Sequence, residues 1–576
     1  AGRHFCVDTG ARVTVRHRAI IPALVVVALC LHNPWGFAAL PDAGIVLIVA
    51  LSLVVLIPVW RSEIVRWSVV EGLMLVAVAG GVLSAFISDA AAIALLGGFT
   101  RSSGVLAIVV WLVALAAGMH VGHADRDVQR VWIMRAATVF SMLVLVGRFG
   151  APLVPFPGGP RATGPLGSSA FSAAVLCVIV PFGAPDVAHS NRMRRAEAIA
   201  AMSVCVSALL ATGSRAAILG SFVALLVATI MLGHQRSTGG GSNVRQLGFS
   251  IAAIGVVAVV SAMSFGFVDR LSSIGEANGT ASGRTVLWRA GLRAISDHVL
   301  FGVGFDQQES AMGVALPANF EARFGDAVIV DRAHNWFIDM WLGGGALTTI
   351  ALGVAMIMAF RRLRRDALGV VTMAGAAGYL VQAQFNFSLP AVEAMLWFLL
   401  GVSLMPDAER APRSKRMLVP VIAVGCLLTA PFTMNLIADT QLERGRRSES
   451  VGDLDGALSA FRSASDIATW QPVLAEVIVR FSMRHGLDSA AIEAADDAVT
   501  RSGGQFRWRE LRAEALVGSG NVTDALTIYE GLTLERPYDA SVWRGFAMAL
   551  SGSGFDDRAQ EALDRSVSLL GVRAEE

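Results

Sequence analysis

The chain has 576 residues, 54% hydrophobic and only 16% charged, with a formal net charge of +2. That is far more apolar than a soluble globular protein, and the near-zero net charge offers no basic footprint for nucleic acid. The cysteines Cys6, Cys30, Cys177, Cys205 and Cys426 have neither metal-ligand nor disulfide-framework spacing, so neither staples the fold.

Residues 1–18 read as a cytoplasmic N-terminal segment. The apolar run beginning at Ala19 lacks the small-residue cleavage site of a removed signal peptide. A membrane helix needs about 20 apolar residues. Runs suited to that task lie near 19–38, 43–60, 68–87, 104–120, 131–149, 168–184, 197–212, 215–233, 248–267, 335–360, 367–386, 391–405 and 417–437. The expected architecture is an all-α polytopic bundle of about 12–13 transmembrane helices spanning 19–437. Alternate junctions carry the basic residues: Arg12, Arg16 and Arg18; Arg61 and Arg66; Arg192, Arg194 and Arg195; Arg361, Arg362, Arg364 and Arg365; Arg410, Arg413, Lys415 and Arg416. Counting thirteen spans puts all of these on one side, which the positive-inside rule makes cytoplasmic. The long polar segment 268–334 and everything after 437 then fall outside.

Beyond residue 437 the periodicity changes. Gly452, Gly486, Gly520 and Gly554 recur every 34 residues, followed at a fixed offset by Ala457, Ala491, Ala525 and Ala559. Glycine in the turn and alanine at the helix crossing, at this period, predict a tetratricopeptide-like α-solenoid of about eight helices over 438–576. Such repeats act as spacers or dock a protein partner, and nothing in this tail looks catalytic.

Arginines that defy the orientation rule are better functional candidates than those that obey it. On the outer side they are Arg101, Arg161, Arg215, Arg284, Arg289 and Arg332. They fall in four short motifs: Gly97-Gly98-Phe99-Thr100-Arg101-Ser102-Ser103-Gly104, Arg161-Ala162-Thr163-Gly164-Pro165, Thr212-Gly213-Ser214-Arg215-Ala216, and the long loop. The loop contains Gly283-Arg284, Trp288-Arg289, Gly302-Val303-Gly304 and His334-Asn335.

This set, in this order, resembles the O-antigen ligase and polymerase superfamily of bacterial envelope glycosyltransferases, over roughly residues 60–400. The resemblance implies a GT-C-like membrane bundle in the bacterial cytoplasmic membrane, surrounded by membrane lipids. It implies transfer from a polyprenyl-diphosphate-linked glycan donor to a glycan or lipid acceptor at the outer face. One departure is Gly167-Ser168-Ser169-Ala170, where many relatives read Gly-Asn-Pro-Asn.

The chemistry fits independently. Transfer makes the pyrophosphate the leaving group, and arginine forks bind phosphate oxygens bidentately while staying charged. Arg215 and Arg284 are the first choices for that clamp, followed by Arg289, Arg161 and Arg101. His334 suits the general base that takes the acceptor hydroxyl proton, because imidazole titrates near neutral pH. The bland alternative is a histidine at a helix start beside the true cap, Asn335. His298 competes within the loop, but Val299, Leu300 and Phe301 around it read as packing. Asp339 and Glu393 are expected either to orient the site and meet acceptor hydroxyls or to pair with an arginine. No metal-ligand cluster is legible and no cofactor is expected. A flippase for lipid-linked glycans predicts midplane charges and paired broken helices instead. A membrane-anchored repeat scaffold leaves the outer arginines without a task.

Overall fold

The computed structural model describes residues 19–31, 42–62, 68–121, 125–149, 160–237, 244–266, 280–326, 328–404 and 418–571. Among the described residues there is no strand, only one antiparallel bridge between Leu363 and Leu404. The protein is an all-helical, polytopic membrane-type bundle.

Each of the thirteen apolar runs contains a helix, although the first is reduced to Ile21–Ala28 among the described residues. Among the described residues, five helices are long and apolar enough to cross a membrane: Val69–Ile87, Arg126–Arg148, Arg192–Thr212, Arg215–His234 and Trp336–Arg362. Of the other apolar helices, Val105–Val121 and Ala367–Ala383 have 17 residues and Pro390–Ser403 has 14, whereas Asp42–Ser62 and Val244–Ser264 have 21. Seventeen helical residues rise only about 25 Å, less than the ~30 Å hydrocarbon core. Thirteen crossings therefore rest on the apolar pattern and not on helix length. One boundary moves usefully. The run expected over 367–386 ends as a helix at Ala383, and residues 384–389 form a connection before the helix Pro390–Ser403.

Local signals explain where the helices begin. Ser68 and Glu71 form a reciprocal capping box ahead of Val69–Ile87. The tight junction after Thr212 is a genuine turn, closed by Gly213 at φ 63°, so Arg215 opens a new helix. That helix crosses Ala367–Ala383 at Gly220 and Gly378. A Cβ on either would lie 2.4–2.5 Å from the other's carbonyl oxygen, so only glycine permits the approach.

The two ends of the bundle differ in character. At one end Arg130 pairs with Asp186 at 2.7 Å, Arg194 with Asp127 at 2.6 Å, and Arg126 with Asp366. The helix Trp336–Arg362 runs from His334 at the other end to Arg361 and Arg362 at this one. Of the groups expected on the cytoplasmic side, Arg12, Arg16, Arg18, Arg66, Arg410, Arg413, Lys415 and Arg416 lie outside the described residues.

Trp336–Arg362 is broken at Gly345, whose φ of 74° and ψ of −179° only glycine adopts readily. The long loop repairs the break. Val303 and Gly304 donate N–H groups to the Leu342 and Gly343 carbonyls, and the Ala346 N–H donates to Val299 and Leu300. Non-helical backbone at this depth persists because its polar groups are satisfied within the protein. The stretch Val299–Phe301 contributes backbone to this repair. Its side chains are exposed, contrary to the packing role expected of them.

From residue 280 the loop is folded into helices Thr280–Asp297, Gln308–Ala315 and Phe320–Phe324. Ala290, Ala294, Met312, Phe320 and Val330 form a small core against Ile338 and Leu342 of the long helix. In the tail, helices start at Leu454, Asp488, Val522 and Asp556, and their partners at Pro472, Phe506 and Ala540. Both series keep the 34-residue period, and all four turn glycines have positive φ. The boundary expected at 437 falls inside one continuous helix, Leu418–Ser450.

Candidate functional site

The four motifs meet at the His334 end of the bundle, first in pairs. Arg161 Nε donates to the Thr212 carbonyl at 2.9 Å, and Ala162 N–H to the Ala211 carbonyl at 2.9 Å. The second motif is thus stitched to the turn that launches Arg215. The first motif is stitched to the long loop: Arg101 binds Asp331 at 2.7 Å, and Arg332 pairs with Asp306. The Asp306 carboxylate also accepts the Gly98 and Ser103 N–H groups at 2.7 and 3.0 Å. One buried carboxylate therefore ties two loops more than 200 positions apart.

The first motif and the long loop converge on the connection 384–389. Phe387 stacks with His334 at 5.5 Å between ring centroids, with the guanidinium of Arg101 at 4.1 Å and that of Arg332 at 5.5 Å. Phe385 receives Arg284 at 6.0 Å and Trp288 at 5.8 Å. Arg284 and Trp288 share a face of Thr280–Asp297 because they are four residues apart. Arg289 lies about 140° round the helix from Arg284 and is exposed. It is not brought to this face.

His334 has a positive φ of 54° and is held by its neighbours. Asn335 is the helix cap, its side chain accepting the Phe337 and Ile338 N–H groups. The imidazole is therefore spared from capping. Asp339 accepts the N–H of Ala333 at 2.7 Å and of Asn335 at 3.2 Å, gripping the backbone on both sides of His334. Asn335 Nδ2 reaches the Gln384 carbonyl at 3.1 Å, fixing the aromatic connection to the same turn. Glu393 accepts hydroxyl protons from Tyr379 and Ser388, each at 2.7 Å, and braces the connection from behind. Asp339 and Glu393 thus support the site from below, as structural partners.

Burial is the first cause that pushes His334 below its ordinary pKa of 6.5, and the charges of Arg101, Arg284 and Arg332 add to it against Asp331. Burial likewise lowers Arg284, and the next cause is the charge of Arg215, which brings those two cations into one neighbourhood. Burial lowers Arg332 to about 10, helped by Arg101, so it remains charged at neutral pH. Its Nη1 is buried without a hydrogen-bond partner. Several cations around a neutral imidazole create a field suited to a polyanion.

Arg332 was named among the outer-side arginines but given no role, and Asp306, Asp331, Phe385 and Phe387 were not singled out in the sequence. The two phenylalanines were hidden at the end of an apolar run.

The tail also reaches the site. Phe99 is buried among tail residues Ala438, Leu442, Phe461 and Trp470. Trp470 Nε1 and Gln471 Nε2 both donate to the Gly97 carbonyl, at 3.3 and 3.0 Å. Ser102, at φ 52°, donates to Asp42 at 2.9 Å, and Asn435 donates to the same oxygen at 3.3 Å. The tail is therefore no mere spacer, because it holds the loop that aims Arg101. Phe99→Ala is expected to cost about 3–5 kcal/mol of this anchorage. Hydrogen exchange should show faster amide exchange over residues 97–104, with the membrane helices unchanged.

The fold is that of a polytopic helical membrane protein, with a cluster of arginines around a histidine at one end. Residues 200–353 match the family model described as O-antigen ligase, so the chain carries an O-antigen ligase domain there. That segment includes Arg215, Arg284, Arg332 and His334. No curated protein matches the chain.

Proposed function

We propose that this protein transfers a glycan from a polyprenyl-diphosphate carrier to a glycan or lipid acceptor at the outer face of the bacterial cytoplasmic membrane. The O-antigen ligase domain supports glycan transfer in cell-envelope polysaccharide biosynthesis, with lipid-linked glycan and acceptor as substrates. The observation that carries the finer reading is the convergence of Arg101, Arg284 and Arg332 on His334. In the reaction the acceptor oxygen attacks the anomeric carbon from the face opposite the diphosphate. The bond from that carbon to the phosphate oxygen breaks, and the diphosphate departs with the electron pair. The acceptor proton passes to His334. Arg215 and Arg284 hold the departing diphosphate, with Arg101, Arg161 and Arg332 around it. The configuration inverts, and the arginines supply the charge stabilisation otherwise given by a divalent ion.

The tail is read as tetratricopeptide-like, and its remaining surface is left for a protein partner. The test is reconstitution in liposomes with a polyprenyl-diphosphate oligosaccharide and candidate acceptors, in EDTA. A glycosidic product formed in EDTA is expected. Movement of the donor across the bilayer with no glycosidic product would instead assign a flippase.

A further inference from the structure

A cavity lies between the long loop and the tail, lined by residues other than those of the arginine cluster. It is a cleft of about 360 Å³ walled on one side by loop residues 309–330 and on the other by tail helices up to Ser541. Loop and tail are bolted together around it. Arg507 pairs with Glu476 at 2.7 Å and reaches Glu309 at 3.7 Å, while Arg544 pairs with Asp326 at 2.6 Å. The Ala540 N–H donates to Glu321 at 2.7 Å.

Its lining combines three chemistries. Tyr538 stands half exposed at the lip, and the Arg536 guanidinium lies 3.8 Å over the Phe506 ring. Carboxylates exceed arginines: Glu321, Glu510 and Asp539 add to acids already in ion pairs. Donors are short. Asp539 Oδ1 already caps the Ser541 and Val542 N–H groups, and the single Ser541 hydroxyl, 2.7 Å from Glu510 and 2.8 Å from Asp539, donates its one proton to only one of them. Burial, offset by Ser541 and reinforced by Asp539 and Glu514, pushes Glu510 up to about 7. Burial raises Glu321 to about 7 as well. Among the described residues, no group of three or more His, Cys, Asp or Glu is placed to hold a metal ion.

The cleft is tied to the arginine cluster through the chain. Val330 lines it, Asp331 next in the chain binds Arg101, and His334 follows three residues later. Four residues of chain span at most about 14 Å, so the wall of the cleft lies within that distance of the base.

We propose that this loop–tail cleft binds a pyranose residue, neutral or carrying an ammonium group, of a glycan engaged at the His334 site. Hydroxyl and ammonium donors satisfy the surplus acceptors, the Arg536 guanidinium donates to sugar oxygens, and Tyr538 packs against the apolar face of the ring. A uronic acid would add a negative charge to a cleft already rich in carboxylates, and is rejected. The assignment rests on the transferase reading, because that reading supplies the glycan. The same chemistry fits the donor glycan and a glycan acceptor.

The test uses the full chain in lipid nanodiscs, with saturation-transfer NMR against three free probes: chitotriose, its fully deacetylated trimer and trigalacturonate. Binding of the first two without the third is expected, weakened about tenfold by Tyr538→Ala or by Glu510→Gln at unchanged melting temperature. Equal binding of trigalacturonate, binding of none, or binding indifferent to both variants at unchanged melting temperature would overturn the proposal. His334→Ala is expected to bind the probes as the native chain does. Probe binding that persists in a preparation forming no glycosidic product would sink the transferase reading and leave the cleft standing. In transfer assays, a tenfold rise in KM for the donor in Tyr538→Ala assigns the donor glycan, and the same rise for the acceptor assigns the acceptor. A rise in neither overturns the subsite.

Discussion

Replacing His334 by alanine is expected to lower turnover by about 10²–10⁴-fold, the range general-base catalysis usually supplies. The side chain neither caps a helix nor fills a core, because Asn335 makes the cap and the imidazole is only partly buried. Loss of activity in a chain of unchanged melting temperature therefore reports chemistry. The pH profile adds a sign. Burial and the surrounding guanidiniums hold His334 below 6.5, so the imidazole is neutral and able to accept a proton at neutral pH. The native enzyme should keep a plateau of kcat/KM through neutrality. Its activity should fall on the acid side, with a midpoint below 6.5. The alanine variant should lose that limb. Its stability should also depend less on pH. In the native chain the folded state resists protonation that the unfolded state accepts, so stability is lost as pH falls below 6.5 toward the folded value. A full-rate alanine variant would remove His334 from the mechanism.

The helices, their order and the tail period were legible because each rests on local pattern. Apolar runs and glycine spacing survive without knowledge of the fold. Arg215 and His334 stood out for a different reason, as polar residues at the start of an apolar span, and Arg284 stood out by its Gly283-Arg284 motif within the long loop. What tertiary packing alone decides was not legible. Phe385 and Phe387 look like the last turn of a span, and only the helix end at Ala383 releases them toward the site. Asp306 is one acid among several in the loop until Gly98, Ser103 and Arg332 close on it. Arg289 fitted the motif, but helical rotation carries it away from Arg284. The tail's hold on Gly97 and Phe99 joins residues some 370 positions apart, which no periodicity announces.

Removing the guanidinium of either Arg284 or Arg215 should cost about 10²–10³-fold in kcat, as deletion of one preorganised donor to a developing charge typically does. The two sit in one neighbourhood: burial lowers the pKa of Arg284, and the charge of Arg215 lowers it further. Like charges so close are unfavourable while no anion lies between them, and a diphosphate relieves that repulsion most when its negative charge is greatest, in the transition state. The loss should thus appear in kcat more than in KM. Lysine should restore little at position 284. A point charge cannot reproduce a planar fork that also lies over Phe385. Because both arginines act on one leaving group, the double variant should lose less than the product of the single losses. Arg289→Ala, exposed on another face of the helix, should lose less than about tenfold. Turnover of a polyprenyl-diphosphate donor measures all five variants. Full-rate turnover by Arg284→Ala and Arg215→Ala would place the diphosphate elsewhere, with Arg332 and its orphaned Nη1 the next position to replace.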